Sequence, residues 1–146
     1  MSELHIAIHA RPEHAASAPA IRFNGKVLTP LAPLAQQTAT PFAITFEEAA
    51  DRLLQLPRLF LEPDGSLVWA STSDGRDWQI DAQLHDLADR LTRVDLSGTC
   101  PATAFDQLLS AIGWPSTRLM FQLVREALFI DEQALRDYAR DRGAMW

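Results

Sequence analysis

LFLEPDGSLVWASTSDGRDWQIDAQLHDLADRLTRVDLSG, residues 59–98, reads as four antiparallel strands in succession. Leu59-Phe60-Leu61-Glu62 enters Pro63-Asp64-Gly65 and leaves through Ser66-Leu67-Val68-Trp69. Pro63 presets φ for the second position of a type I turn and Asp64 suits the third. Gly65 can take the left-handed conformation that closes a bulged three-residue loop. That loop sets Glu62 opposite Ser66, Leu61 opposite Leu67, Phe60 opposite Val68 and Leu59 opposite Trp69. Leu59, Leu61, Leu67 and Trp69 then share one face. A two-residue loop would mix Leu67 with Glu62, so turn chemistry and face pattern agree. Phe60 and Val68 pair on the other face, which is therefore not wholly wet.

The next two strands alternate cleanly. Trp78, Ile80, Ala82 and Leu84 point one way, and Gln79, Asp81, Gln83 and His85 the other. Thr92, Val94 and Leu96 continue the inward set. Two registers keep these faces: one places Asp81 opposite Arg93 and His85 opposite Asp89, the other Asp81 opposite Asp95 and Asp86 opposite Arg90. Like charges directly opposed destabilise a ladder, unless a cation or a shared proton lies between the carboxylates.

Helical patterns flank the strands. Thr45 with Glu48 forms a capping-box signature, and Phe46, Ala49, Ala50, Leu53 and Leu54 follow at helical spacing up to Pro57. Phe105, Leu108, Leu109 and Ile112 recur at i, i+3, i+4 and i+7 after Pro101, with Gly113 and Pro115 as stop signals. Leu119 to Leu128 carries a helical stripe, although Met120 to Val124 also fits a strand. Asp131 caps a last helix with Leu135, Tyr138 and Ala139 inward. The expected class is α+β: a four-stranded antiparallel meander with one face covered by one helix before it and two or three after it. Residues 42–146 are read as that single domain.

Residues 1–41 are read as an N-terminal appendage. Leu4 to His9 alternates like a short strand, Asn24-Gly25 suits a type I′ hairpin, and Thr29 to Pro41 holds Pro30, Pro33 and Pro41 in a strap that is either mobile or packed near Phe60 and Val68.

Composition excludes several functions. The 146 residues carry a net charge of −6, and residues 56–100 hold eight acids against four bases. A nucleic-acid binder needs a basic stripe to displace counterions, and none is present. One lysine against twelve arginines reads as coding bias, not as phosphate recognition. No run reaches the ~18 apolar residues of a membrane span, and no basic-then-apolar leader opens the chain. A single cysteine, Cys100, rules out an internal disulfide and a cysteine metal knuckle, so a reduced cytoplasmic setting is expected.

Individual residues point to little chemistry. His5, His9 and His14 lie on or near a strand, where i and i+4 are about 13 Å apart, too far to share an ion, so they are expected at the surface. Cys100 is expected to be a small buried hydrophobe. Asp74-Gly75-Arg76-Asp77 lacks the spaced oxygens of a calcium loop. Trp69 and Trp78 belong to the core. No glycine loop for phosphate, nucleophile elbow or zinc helix is present, and no metal or cofactor is expected. The expected function is a non-catalytic interaction or ligand-binding module, homodimeric in one version, with Phe60, Val68 and Trp114 as partner-binding candidates. The alternative is a small enzyme with an acid/base or metal site formed by Asp81, His85 and Asp95 on the polar sheet face.

Overall fold

The computed structural model describes residues 3–146. Its strands are β1 (Leu4–Ala10), β2 (Ala16–Ser17), β3 (Ile21–Phe23), β4 (Lys26–Leu28), β5 (Leu31–Ala32), β6 (Leu59–Leu61), β7 (Ser66–Ser73), β8 (Arg76–Leu87), β9 (Arg90–Thr99), β10 (Leu119–Leu123) and β11 (Leu128–Ile130). The helices are α1 (Phe46–Leu53), α2 (Ala102–Ala111) and α3 (Glu132–Asp141), with a 3-10 turn at Ala35–Ala39. All described β pairings are antiparallel between named strands.

The four-stranded meander is corrected. β6 to β9 are one end of a nine-stranded sheet ordered β2-β5-β11-β10-β1-β9-β8-β7-β6, beside a separate β3–β4 hairpin. The last meander strand is not an edge, because β9 pairs on its far side with β1, from Leu4 opposite Gly98 to Ile8 opposite Val94. β1 then pairs with β10, with Ile6 opposite Leu123 and Ala10 opposite Leu119. That pairing decides residues 119–123 for strand over helix. Backbone donors on both sides of β1 need partners, and only extended neighbours supply them.

Nor is burial confined to one helix-covered face. On one side, Leu4, Ile6, Ile8, Trp69, Ile80, Val94, Leu96 and Phe121 join Ala49, Leu53, Phe105, Leu108, Leu109, Leu135 and Ala139 from the three helices in one core. On the other side, Ala7, His9 and Met120 are buried too. The strap lies there: His9 Nδ1 is 3.1 Å from the Thr38 carbonyl, and the His9 ring sits 5.6 Å from that of Phe129. The strap therefore packs over the β1–β10 centre of the second face, away from Phe60 and Val68, and His9 is not a surface histidine.

Local signals fare better. β6 and β7 pair with Leu59 opposite Trp69, Phe60 opposite Val68 and Leu61 opposite Leu67. Thr45 caps α1 reciprocally with Glu48, at 3.1 and 3.2 Å, and Asp131 caps α3 through the Ala134 N–H at 2.8 Å. The hydrogen bonds from Thr45 hold the Glu48 carboxyl below its usual range. Asn24 and Gly25 both take positive φ in the β3–β4 turn.

Neither expected register of β8 on β9 occurs. Asp81 faces Ser97, Gln83 faces Asp95 and His85 faces Arg93, and a bulge between His85 and Asp86 then brings Asp86 opposite Leu91. The cause is the turn. Ala88 and Asp89 both sit at positive φ, so the hairpin closes in two residues and the strands run further than their alternation suggested. The start of α1 and the chain just ahead of it clamp this turn, with the Phe42 N–H donating to the Leu91 carbonyl at 2.7 Å and the Phe46 N–H to the Asp89 carbonyl at 2.9 Å.

Candidate functional site

Directly opposed residues on neighbouring strands form lines across the outer face of the sheet. One line runs Phe60, Val68, Asp81, Ser97, His5 from β6 to β1. The next runs Gln83, Asp95, Ala7, Gln122 from β8 to β10. A third pairs His85 with Arg93. These lines decide which candidates can meet.

Phe60 and Val68 begin the first line. Phe60 is 74% exposed and Val68 42%, side by side at the β6 end of the sheet. An aromatic ring in that setting is left mostly in water by the fold of its own chain. β6 has only three residues and is the outermost strand, so one side of its backbone lacks a ladder partner among the described strands.

Asp81 does not join the other acidic candidates. It faces Ser97, and its carboxylate accepts from Gln79 Nε2 at 3.2 and 3.3 Å. His85 and Asp95 do meet, diagonally across β8 and β9, with Nε2 2.7 Å from Oδ2. Arg93 completes the cluster. Its Nε lies 3.1 Å from Asp95 Oδ1 but off the hydrogen-bonding direction, and its Nη2 is 3.1 Å from His85 Nε2. Since Nε2 cannot donate to Asp95 and accept from Arg93 at once, the short contact assigns its proton to the Asp95 side. The side chains are 36–45% exposed, so solvent screens them and the cluster adds little to stability.

A shallow groove of about 300 Å³ adjoins this cluster, bordered by His5, Ala7, Arg93, Asp95, Gln122 and Val124. Chemically, a His–carboxylate couple can pass a proton. No serine or cysteine oxygen or sulfur is hydrogen-bonded to it among the described residues. No group of three His, Cys, Asp or Glu side chains there is disposed to hold a metal ion.

Trp114 lies at the far end of α2. It is half-buried; its indole N–H donates to Glu132 Oε1 at 2.6 Å, and the Arg136 guanidinium sits 5.7 Å from its ring. Arg136 also pairs with Asp106 at 2.7 Å and Glu132 at 3.0 Å, tying α2 to α3. The polar handle of Trp114 is thus committed inside the chain. Cys100 is fully buried, and burial pushes its thiol up to about 12, so it stays protonated near neutrality.

Sequence reasoning missed His9 as an internal group. Its burial lowers its pKa below that of free imidazole, despite the bond to Thr38 and a 3.4 Å contact with Gln122. The readable signal was the run Ile6-Ala7-Ile8-His9-Ala10, whose small and apolar residues leave no polar alternation, as in a strand covered on both faces. That reasoning set His85 and Asp95 in one site but with Asp81 in the place that Arg93 takes, because the register carries no signal in the sequence.

No family model matches the chain, and comparison with curated proteins and with solved structures finds no match. No helix among the described residues is long and apolar enough to cross a membrane.

Proposed function

We propose that this protein is a non-catalytic interaction module that engages a protein partner at the β6 end of its sheet, in a reducing, cytoplasmic setting. The observation that carries this reading is Phe60, 74% exposed beside Val68 on the outermost strand. Exposed aromatic side chains with adjacent apolar surface are typical anchors of protein interfaces, and an outer strand offers backbone donors and acceptors to a second chain. Other large aromatics support this by contrast: Phe42, Trp69, Trp78, Phe105 and Phe121 are in the core, and Trp114 is engaged with Glu132.

Site-specific photo-crosslinking tests the reading. A benzophenone side chain at position 60 is expected to give one discrete protein adduct, mapped to one peptide sequence. The same group at Leu54, 56% exposed on the C-cap of α1, is expected to give none. Equal labelling at both positions, or none at position 60, overturns it.

A second reading, an acid/base site, is favoured only by the 2.7 Å His85–Asp95 contact beside the groove. It takes in His85 and Asp95 but not Asp81, which lies on another line of the face. A metabolite that raises the melting temperature of the native chain but not of Asp95→Asn is the result that supports it.

A further inference from the structure

Arg11 and Arg118 stand directly opposite one another. The β1–β10 ladder runs one step past its last paired residues, Ala10 and Leu119, and there the Arg11 N–H donates to the Arg118 carbonyl at 2.7 Å. Beyond the other end of the same ladder the Val124 N–H donates to the His5 carbonyl at 3.2 Å, so both bonds fall in one unbroken register. Residues bonded in this way face each other at about 5.5 Å between Cα atoms. Like charges so placed destabilise a ladder.

The chain itself does not relieve this repulsion. Arg118 is exposed and Arg11 half-buried, and neither guanidinium has an ion-pair partner among the described residues. Both border a groove of about 390 Å³, to which Trp114, Pro115 and Leu119 add apolar surface. Two carboxylates border it as well, but both are engaged. Glu132 accepts the Trp114 indole N–H on Oε1 and pairs with Arg136 through Oε2, and Asp131 caps α3. The two arginines are therefore left without a counter-charge beside an aromatic residue whose own polar atom is already committed.

We infer that this groove binds a small phosphate monoester, with its phosphate between Arg11 and Arg118 and its organic part against Trp114, Pro115 and Leu119. A carboxylate offers two oxygens, which a single guanidinium fork occupies. A phosphate monoester offers three terminal oxygens and a charge of about −1.5 to −2 near neutrality, so two forks can grip different pairs of oxygens and the charges balance. A bare phosphate leaves most of the groove unfilled, and the volume falls in the range of roughly 300–1,000 Å³ that small-molecule sites occupy. The frequency of arginine says nothing of this chemistry; the register of these two residues does. The site shares no residue with the β6 edge, so neither reading depends on the other.

Phenyl phosphate is the probe. Amide NMR shifts of the full chain, with the probe raised from about 0.1 to about 10 mM, read the binding. Shifts at Arg11, Trp114 and Arg118 are expected to saturate together in the wild type. Arg11→Gln and Arg118→Gln are each expected to weaken binding about tenfold or more. Arg125→Gln, which alters an exposed arginine beyond the far end of β10, is expected to leave it unchanged. Inorganic phosphate, which has no organic part, is expected to bind about tenfold more weakly than phenyl phosphate. Melting in phosphate-free, low-salt buffer gives a second readout: taking one charge from the opposed pair relieves repulsion, so Arg118→Gln is expected to melt at or above the wild-type temperature. The inference is overturned by shifts that do not saturate or that centre elsewhere, by glutamine variants that bind as well as wild type, by inorganic phosphate binding as tightly as the ester, or by Arg118→Gln melting well below wild type. A phosphoserine peptide that binds more tightly than phenyl phosphate overturns it in favour of a modified protein as the ligand.

Discussion

Replacing Gly98 by alanine should damage the sheet far more than one methyl group suggests. Gly98 lies inside β9, between Ile80 on β8 and Leu4 on β1. Its φ is +127°, and a Cβ there would sit 2.1 Å from the Gln79 carbonyl oxygen and 3.1 Å from the Ile80 Cα. The obstacle is backbone held on both sides, so it cannot rotate away as a side chain would. Backbone strain at such a φ costs about 1–3 kcal/mol. Displacing the β8 ladder to make room weakens roughly two hydrogen bonds at about 1 kcal/mol each. A total of roughly 3–5 kcal/mol follows, and at about 3 °C per kcal/mol for a chain of this size the melting temperature falls by roughly 10–15 °C. Gly75 provides the control. It also has positive φ, +72°, but nothing lies within 4 Å of its added Cβ, so Gly75→Ala should cost only about 1 kcal/mol. Thermal unfolding followed by circular dichroism measures both. Equal melting temperatures for the two variants would refute the claim that close approach of β8 to β9, and not φ alone, demands glycine at position 98.

Three further outcomes are expected. Trp69→Ala removes a core indole that stands edge-on to Trp78 at 5.1 Å and donates to the Pro57 carbonyl at 2.9 Å, so denaturant unfolding should show a loss of roughly 3–5 kcal/mol; Phe60→Ala, in the same hairpin, should lie within about 0.5 kcal/mol of wild type. Equal losses would mean the faces are assigned wrongly. Burial lowers the His9 pKa below its unfolded value, so between the two values the unfolded chain binds more protons and stability falls as pH drops below the ordinary imidazole range. Melting temperatures from pH 7.5 to 5 should decline less steeply in His9→Gln than in wild type, and parallel curves count against the assignment. Cys100, buried and with its thiol held up near 12, should resist alkylation in the native chain at pH 8 and react only as the chain unfolds, as followed by mass spectrometry; prompt native labelling contradicts the burial.

Legibility followed the range of the interactions. The β6–β7 register was readable because Pro63-Asp64-Gly65 is a local instruction, and Thr45 with Glu48 likewise marked the start of α1. The β8–β9 register was not, because its turn is Ala88-Asp89. Alanine at positive φ has no signature, and the conformation is imposed by the contacts of Phe42 and Phe46 with Leu91 and Asp89. One missed turn and one bulge then displaced every cross-strand neighbour, and with them the acidic site: Asp81 was set against Arg93 or Asp95 when Arg93 and Asp95 in fact meet His85. The place of β1 was hidden for a different reason. Leu4 to Ala10 reads as a short strand, and nothing local says that β9 and β10 lie on its two sides. The Phe60–Val68 pair, by contrast, needed only the hairpin register to be placed on the outer face.

The position of β1 also bears on how the chain reaches this fold. It is synthesised well before either neighbour, so Ile8 must wait for Val94 and Ile6 for Leu123 before both of its sides are paired. Pairings so distant in sequence require long loops to close before any reward is gained, and they slow folding. The hairpins from β6 to β9 can assemble on local instructions while β1 still lacks its neighbours. During synthesis the apolar strand that ends near the middle of the sheet is thus the one left longest without a place, and the rate at which it is captured sets the interval in which the nascent chain is open to aggregation.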